Sequence, residues 1–415
     1  MSSSLPNVGV AFGGVAPEHE VSVISGLQVA AALDRSRYHP VPLYVAKDGT
    51  WYTGAHLLDP AAYKDLDRLR AEAIPVVLDP AAGHGTLDLV ERRRRGLFAG
   101  ALRRFRIDVV FLSFHGGEGE NGGVQGLCET FNVPYTGSGV FGSALGMDKV
   151  LSKMLCRDQG IPTVDFAWFR EAQWLGREEA WLDRIEDKLG YPVVIKPARL
   201  GSSIGIAKAA DRNELDAAIE EALRYDEKIV VERAVRALRE VNCSVLGDPS
   251  AAQASVLEEP LRTDTDELLS FQDKYMRGGG RGKVQTRNAK QGGDRAQGMA
   301  SLDRVIPAPL SEVRTAEIRQ RAVEIFQLFE CAGVARLDFL LDGETDAYYF
   351  NEINTIPGSF SFYLWEPTGV PFDQLAHRMI EIAYHLHRRK NSRVRSFDVN
   401  LLSEKSLSGI KGAKA

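Results

Sequence analysis

The chain has 415 residues, of which 44% are hydrophobic and 26% charged, and its formal net charge is -5. That is too long for one ordinary core and suits two or three domains, while the lack of a basic surplus argues against a nucleic-acid partner. No apolar run is long enough to span a bilayer and Met1–Pro6 carries no leader pattern, so a cytoplasmic protein with no membrane partner is expected.

In chain order, a strand-like Val8–Phe12 leads to a helical Val21–Ala32, a strand Val41–Val45, a strand Asp108–Ser113 and a helix Val124–Thr130. This alternation predicts an N-terminal Rossmann-like α/β domain with a parallel sheet over residues 1–147. Thr53–Arg106 is less regular, and Arg92–Arg95 beside Glu91 reads as a solvated helical face. A second unit, 148–232, starts with the helix that Lys149 opens and holds strands Tyr191–Lys196 and Ile229–Glu232. A third, 233–390, ends in the amphipathic helix Phe372–Arg388, and the Lys/Ser-rich tail 391–415 is expected to be poorly ordered. Within the third unit, residues 273–307 form a long Gly-, Arg-, Lys- and Gln-rich loop without apolar period, as in lids and disordered segments. Cys128, Cys156, Cys243 and Cys331 are widely spaced in apolar surroundings and read as buried small hydrophobes.

The most informative residues are Arg336-Leu337-Asp338 and, 14 positions after that aspartate, Glu352-Ile353-Asn354. On adjacent strands they set two carboxylates, an amide carbonyl and a guanidinium together. Mg²⁺ takes oxygen donors and commonly shares them with substrate phosphates, so the set suits a magnesium-nucleotide site. An isolated pair of such acids would more often be a structural ion pair. A second segment, Tyr191 to Lys196 followed by Gly201-Ser202-Ser203-Ile204-Gly205, is a buried strand ending in a lysine and then a turn. Backbone N–H groups in that turn, Ser203 included, can wrap phosphate oxygens while Lys196 adds charge. Glu232 at the next strand end can accept from an adenine amino group, and Glu240 from ribose hydroxyls. Near the N-terminus, Gly13-Gly14 precedes Glu18 without a full dinucleotide fingerprint, and a carboxylate there suits an ammonium group. His115 closes a strand at the end where open α/β sheets bind ligands.

Together the segments GGVAPEHEVS (13–22), HGGEGENGGVQG (115–126), YTGSG (135–139), MDK (147–149), KPARLGSSIG (196–205), DKY (273–275), ARLDF (335–339) and NEINTIPG (351–358) resemble the D-alanine-D-alanine ligases of the ATP-grasp superfamily. The resemblance covers about Val8 to Arg388. It implies a three-domain α/β ATP-grasp fold with ATP between the central and C-terminal domains. It further implies two Mg²⁺ ions, with Mn²⁺ as a substitute, D-alanine as substrate, and a homodimer. By the resemblance, Lys149, Lys196 and Lys274 meet ATP, while Asp338, Glu352 and Asn354 hold the metal. Arg336 and the Gly358 N–H steady the oxyanion, Glu18 takes the first D-alanine's ammonium and His115 its carboxylate. Ser202 and Tyr275 link the lid to the first domain, and a tyrosine at 275 leans toward an amine acceptor.

One departure stands out. Where the family has serine then leucine to bind the second substrate's carboxylate, this chain has Tyr363 and Leu364, with Ser361 as another hydroxyl nearby. The change leaves a second reading open, a ligase joining D-alanine to D-serine, a hydroxy acid or another amino acid. A nucleotide-binding regulator is disfavoured, since binding alone does not need Arg336 beside a reacting carbonyl.

Overall fold

The structure is a computed structural model that describes residues 5–79, 85–92, 102–261 and 304–396. Three sheets carry the chain. The first holds β1 (Asn7–Gly13), β2 (His39–Val45), β3 (Trp51–Thr53), β4 (Ile74–Leu78), β5 (Leu87–Glu91), β6 (Arg104–Ile107) and β7 (Val109–Leu112), in the order β6-β5-β4-β3-β2-β1-β7. Only β1, β2 and β7 run parallel; β3 to β6 extend the sheet antiparallel. The expected parallel sheet is therefore mixed. The β2–β3 and β4–β5 connections are too short for a parallel crossover, while β3 reaches β4 through the helix Leu66–Glu72 and still pairs antiparallel; β1 reaches β2 through the helix His19–Ala32.

The second sheet, β10-β9-β11-β8, joins β8 (Phe166–Arg170), β9 (Val193–Pro197), β10 (Ala207–Ala209) and β11 (Lys228–Arg233), all antiparallel. Helices Glu178–Leu189 and Arg212–Leu223 cover it with Leu182, Ile185, Leu215 and Ile219. The third sheet, β14-β13-β12-β15-β16, contains β12 (Arg239–Asp248), β13 (Ala251–Pro260), β14 (Arg304–Val305), β15 (Gly333–Leu341) and β16 (Tyr348–Asn354), antiparallel throughout. Helix Glu312–Leu328 buries Ile318, Ile325 and Phe326 against it.

The last helix, Phe372–Asn391, does not serve the third sheet alone. Leu375, Met379 and Ile380 share a core with Val8, Val10 and Phe111 of the first sheet. Burying such a side chain contributes roughly 1.5–3 kcal/mol, so this helix ties the two ends of the chain together. All four cysteines are buried as free thiols. No helix among the described residues is long and apolar enough to cross a membrane.

Candidate active site

The register of the third sheet builds the site. Asp338 lies opposite Glu352 and Arg336 opposite Asn354, and residues two apart on a strand share a face. On the other side of β15, Asn242 faces Asp338, and Glu258 faces Asn242. A polar row Glu352–Asp338–Asn242–Glu258 thus crosses four strands. After Asp338 the pairing skips Asn351, a bulge, and such an extra residue re-aims its side chain. Asn351 Oδ1 accepts a hydrogen bond from Lys196 Nζ at 3.1 Å.

Arg336 donates from Nε and Nη2 to the two oxygens of Asp338, both at 2.7 Å, and Asn354 Nδ2 donates to the same carboxylate at 3.1 Å. Burial disfavours the charge on Arg336, but Asp338 more than offsets it and holds the guanidinium well above its usual range. Glu352 pairs with Lys149 at 3.2 Å. Among the described residues no cluster of three His, Cys, Asp or Glu could hold a metal. Two acids and an amide oxygen instead match a hard cation that completes its shell with phosphate and water, so the donor set fits Mg²⁺.

Lys149 opens the helix Lys149–Asp158, whose cap is Asp148: its carboxylate accepts from Val150 N and Leu151 N at 3.0 Å each. The cap aims Lys149 at the loop after β9, where Nζ donates to Leu200 O at 2.6 Å. In that loop Ser202 and Ser203 have φ of 53° and 59°, the left-handed region, which turns the backbone sharply. Ser202 Oγ donates to Glu18 of the first domain.

Glu232 lies buried between two lysines, 2.7 Å from Lys196 Nζ and 3.1 Å from Lys153 Nζ. Burial raises its pKa, yet the lysines win and bring it down to about 2. In this structure Glu232 therefore fixes Lys196 as well as edging the cleft beside it. Lys153 escaped the sequence reading, although its place four residues after Lys149 puts both on one helix face.

Two cavities meet here. One is lined by Glu18, His115, Arg336, Gly358, Asn354 and Glu258; the other by Lys196, Ser203, Glu232, Leu340 and Asn351. Lys149, Glu240, Asp338 and Glu352 line both. His115 is buried with Ile356 O at 2.8 Å from Nδ1 and Ser25 Oγ at 2.7 Å from Nε2. Since a carbonyl only accepts, Nδ1 carries the proton and Ser25 donates to Nε2. Desolvation, with Arg336 nearby, lowers His115 to about 4, so it is neutral at ordinary pH. Glu120, also missed from sequence, accepts from Gly116 N at 2.8 Å and Ile356 N at 3.3 Å. Burial and the neighbouring Glu18 push it up to about 7.

The segment after Gly358 has three consecutive residues with left-handed backbone, Ser359, Phe360 and Ser361 at φ 51°, 54° and 49°. Neither residue at the departure lines the cavity wall. Tyr363 donates its hydroxyl to Glu258 Oε1 at 3.1 Å, Leu364 is fully buried, and Ser361 Oγ is buried without a hydrogen-bond partner among the described residues. Lys274 and Tyr275, with most of the 273–307 loop, lie outside the described residues.

Family models for the D-ala D-ala ligase N-terminus and C-terminus match residues 7–138 and 155–381. A D-alanine--D-alanine ligase of Thermosipho melanesiensis is 36% identical over 399 residues, 96% of this chain and 99% of that one. One from Caldicellulosiruptor bescii is 36% identical over 392 residues, 93% and 97% of the two chains. Among solved structures, the D-alanine-D-alanine ligase from Coxiella burnetii aligns with TM-score 0.72 and 27% identity, covering 94% of this chain and 97% of that one. The VanG D-Ala:D-Ser ligase from Enterococcus faecalis does so with TM-score 0.72 and 27% identity, covering 92% and 100%.

Proposed function

The chain belongs to the D-alanine-D-alanine ligase family, and on that premise we propose that its joined cavities condense two D-alanine molecules with ATP to D-alanyl-D-alanine, through a D-alanyl phosphate, for peptidoglycan precursor synthesis. The observation that carries this reading is the shared wall. Phosphoryl transfer requires the nucleotide's terminal phosphate and the acceptor carboxylate to be held in line at one place. Lys149, Asp338 and Glu352 border both cavities, which supports that meeting point.

In this reading Lys149 and Lys196 hold phosphate oxygens, with Lys196 kept in place by Glu232 and Asn351. Asp338, Glu352 and Asn354 hold magnesium, as two ions and with Mn²⁺ as a substitute, whose charge draws off the negative charge of the transferring phosphoryl group. Glu18 takes the ammonium of the first D-alanine, beside Ser202. His115, neutral and fixed by Ser25 and Ile356, borders the place for its carboxylate. The amine of the second D-alanine then attacks the acyl phosphate. Arg336 and the Gly358 N–H face the oxygen that becomes negative before phosphate leaves. The reading also carries a cytoplasmic homodimer, to be checked by cell fractionation and light scattering.

The test is mass-spectrometric product analysis with ATP, Mg²⁺ and D-alanine, with D-serine, D-lactate or glycine as competing acceptors. D-alanyl-D-alanine as dominant product, with phosphate release that needs D-alanine, is expected. A mixed product only, or phosphate release indifferent to D-alanine, would overturn the reading.

A further inference from the structure

The polar row on the third sheet has two ends. At one, Asp338 and Glu352 border the nucleotide cleft. At the other, Glu258 is almost fully buried, 1% exposed, and binds Arg304 Nη1 at 2.5 Å, Asn242 Nδ2 at 3.1 Å and the Tyr363 hydroxyl at 3.1 Å. Arg304 sits opposite Pro260 on the edge strand β14, its side chain 7% exposed and its guanidinium 4.0 Å from the centre of the Tyr363 ring. Burial works against its charge, but Tyr363 and Glu258 raise its pKa, so it stays a cation. Isolated ion pairs are rarely buried without a job or a cost to stability.

Among the described residues, three cations line the first cavity: Lys149, Arg304 and Arg336. Lys149 is paired with Glu352 and Arg336 with Asp338, both at the phosphoryl end. Among the described residues Arg304 is the cation at the far end, and Tyr363 points its hydroxyl at Glu258, where it braces the pair. We propose that Arg304, stacked on Tyr363 and anchored by Glu258, binds the carboxylate of the second amino acid. This rests on the ligase reading above and assigns its acceptor subsite. A planar guanidinium matches a carboxylate with two parallel hydrogen bonds, whereas a single hydroxyl offers one. Three donors already converge on Glu258, so it serves as the brace for Arg304. Tyr363 and Glu258 are positioning residues, and an acceptor without a carboxylate forfeits the main contact.

The experiment separates the acceptor from the acyl phosphate. Hydroxylamine has no carboxylate and traps D-alanyl phosphate as the hydroxamate, so its reaction bypasses the subsite; dipeptide formation needs it. Arg304→Leu should raise the Michaelis constant for the second D-alanine by about tenfold or more, the loss of a charged hydrogen bond. Hydroxamate formation should stay within about twofold, since Arg304 is placed away from the first substrate. The preference for D-alanine over D-alaninamide as acceptor should collapse in the same variant. Arg304→Lys should restore part of that preference, and Tyr363→Phe, which keeps the ring under the guanidinium, should lose a smaller part. Wild-type acceptor preference in Arg304→Leu would overturn the proposal, as would equal loss of hydroxamate and dipeptide in a variant that melts like wild type. Should Arg304→Leu fail to fold, the preference ratio in Arg304→Lys and Tyr363→Phe decides by the same criterion. If the unaltered protein yields neither product from D-alanine, the ligase reading itself has failed.

Discussion

Glu120 shows how one side chain sets a pH dependence. Its carboxyl titrates near 7 because burial and Glu18 oppose its charge. The fold thus favours the protonated form: stability is complete below the ordinary carboxyl range and falls as pH rises through about 7, by at most about 3 kcal/mol. The same ionisation places a second negative charge beside Glu18, where a substrate ammonium would sit. D-alanine affinity, followed by calorimetry from about pH 5.5 to 8.5, should therefore rise through the neutral range, and Glu120→Gln should flatten it. A flat profile in the unaltered protein would refute this. His115 contributes nothing in that window, because it titrates near 4. Ser361 presents the opposite case, a residue with two costs: a left-handed backbone, about 1–2 kcal/mol, and a buried hydroxyl with no partner among the described residues, about 1–3 kcal/mol. Ser361→Gly removes both, less the chain entropy that glycine adds, and should raise the melting temperature. No rise would mean that the hydroxyl has a partner in solution.

At the scale of elements, the helix Lys149–Asp158 depends on Asp148 twice over. Its carboxylate caps two backbone N–H groups and pairs with Lys228 Nζ at 2.7 Å, and Lys228 is only 3% exposed. Asp148→Ala removes a cap of about 1 kcal/mol and strands a buried ammonium, about 3–5 kcal/mol more. Asp148→Asn, which can still cap, should fall between. Equal melting temperatures for Asp148→Ala and the unaltered chain would contradict this account. Elements of this kind explain what the sequence makes legible. Lys149 after Asp148 is a helix start by residue type, and Arg336, Asp338, Glu352 and Asn354 announce themselves through period-two spacing on apolar strands. The mixed first sheet is harder, because strands of three to five residues in Thr53–Arg106 carry too few positions to show a period. Glu258 and Arg304 are invisible for another reason. They meet through the β13–β14 pairing across 46 residues, and local pattern says nothing about which distant strands become neighbours.

For the whole molecule, the site depends on all three sheets at once. Glu18 and His115 follow strands of the first, Lys196 and Ser202 come from the second, and Arg336, Asp338, Glu352 and Asn354 stand on the third. A ligand that bridges them binds the folded chain and not the unfolded one, and stabilises it by about 2.7 kcal/mol at a hundred times its dissociation constant. A non-hydrolysable ATP analogue with Mg²⁺ should therefore raise the melting temperature, and D-alanine added to that complex should raise it again. Glu352→Gln separates metal from fold. It keeps the shape of the side chain on β16 and a hydrogen-bond acceptor for Lys149 but loses the charge of that pair, so its unliganded melting temperature should fall modestly while the fold is kept. Its response to analogue plus Mg²⁺ should shrink to the response without Mg²⁺, and turnover should vanish. A full Mg²⁺-dependent shift in Glu352→Gln would remove Glu352 from the metal set. The proposed set would then be reduced to Asp338 and Asn354, one carboxylate already tied to Arg336 and one amide, too few oxygens for a magnesium site on the third sheet.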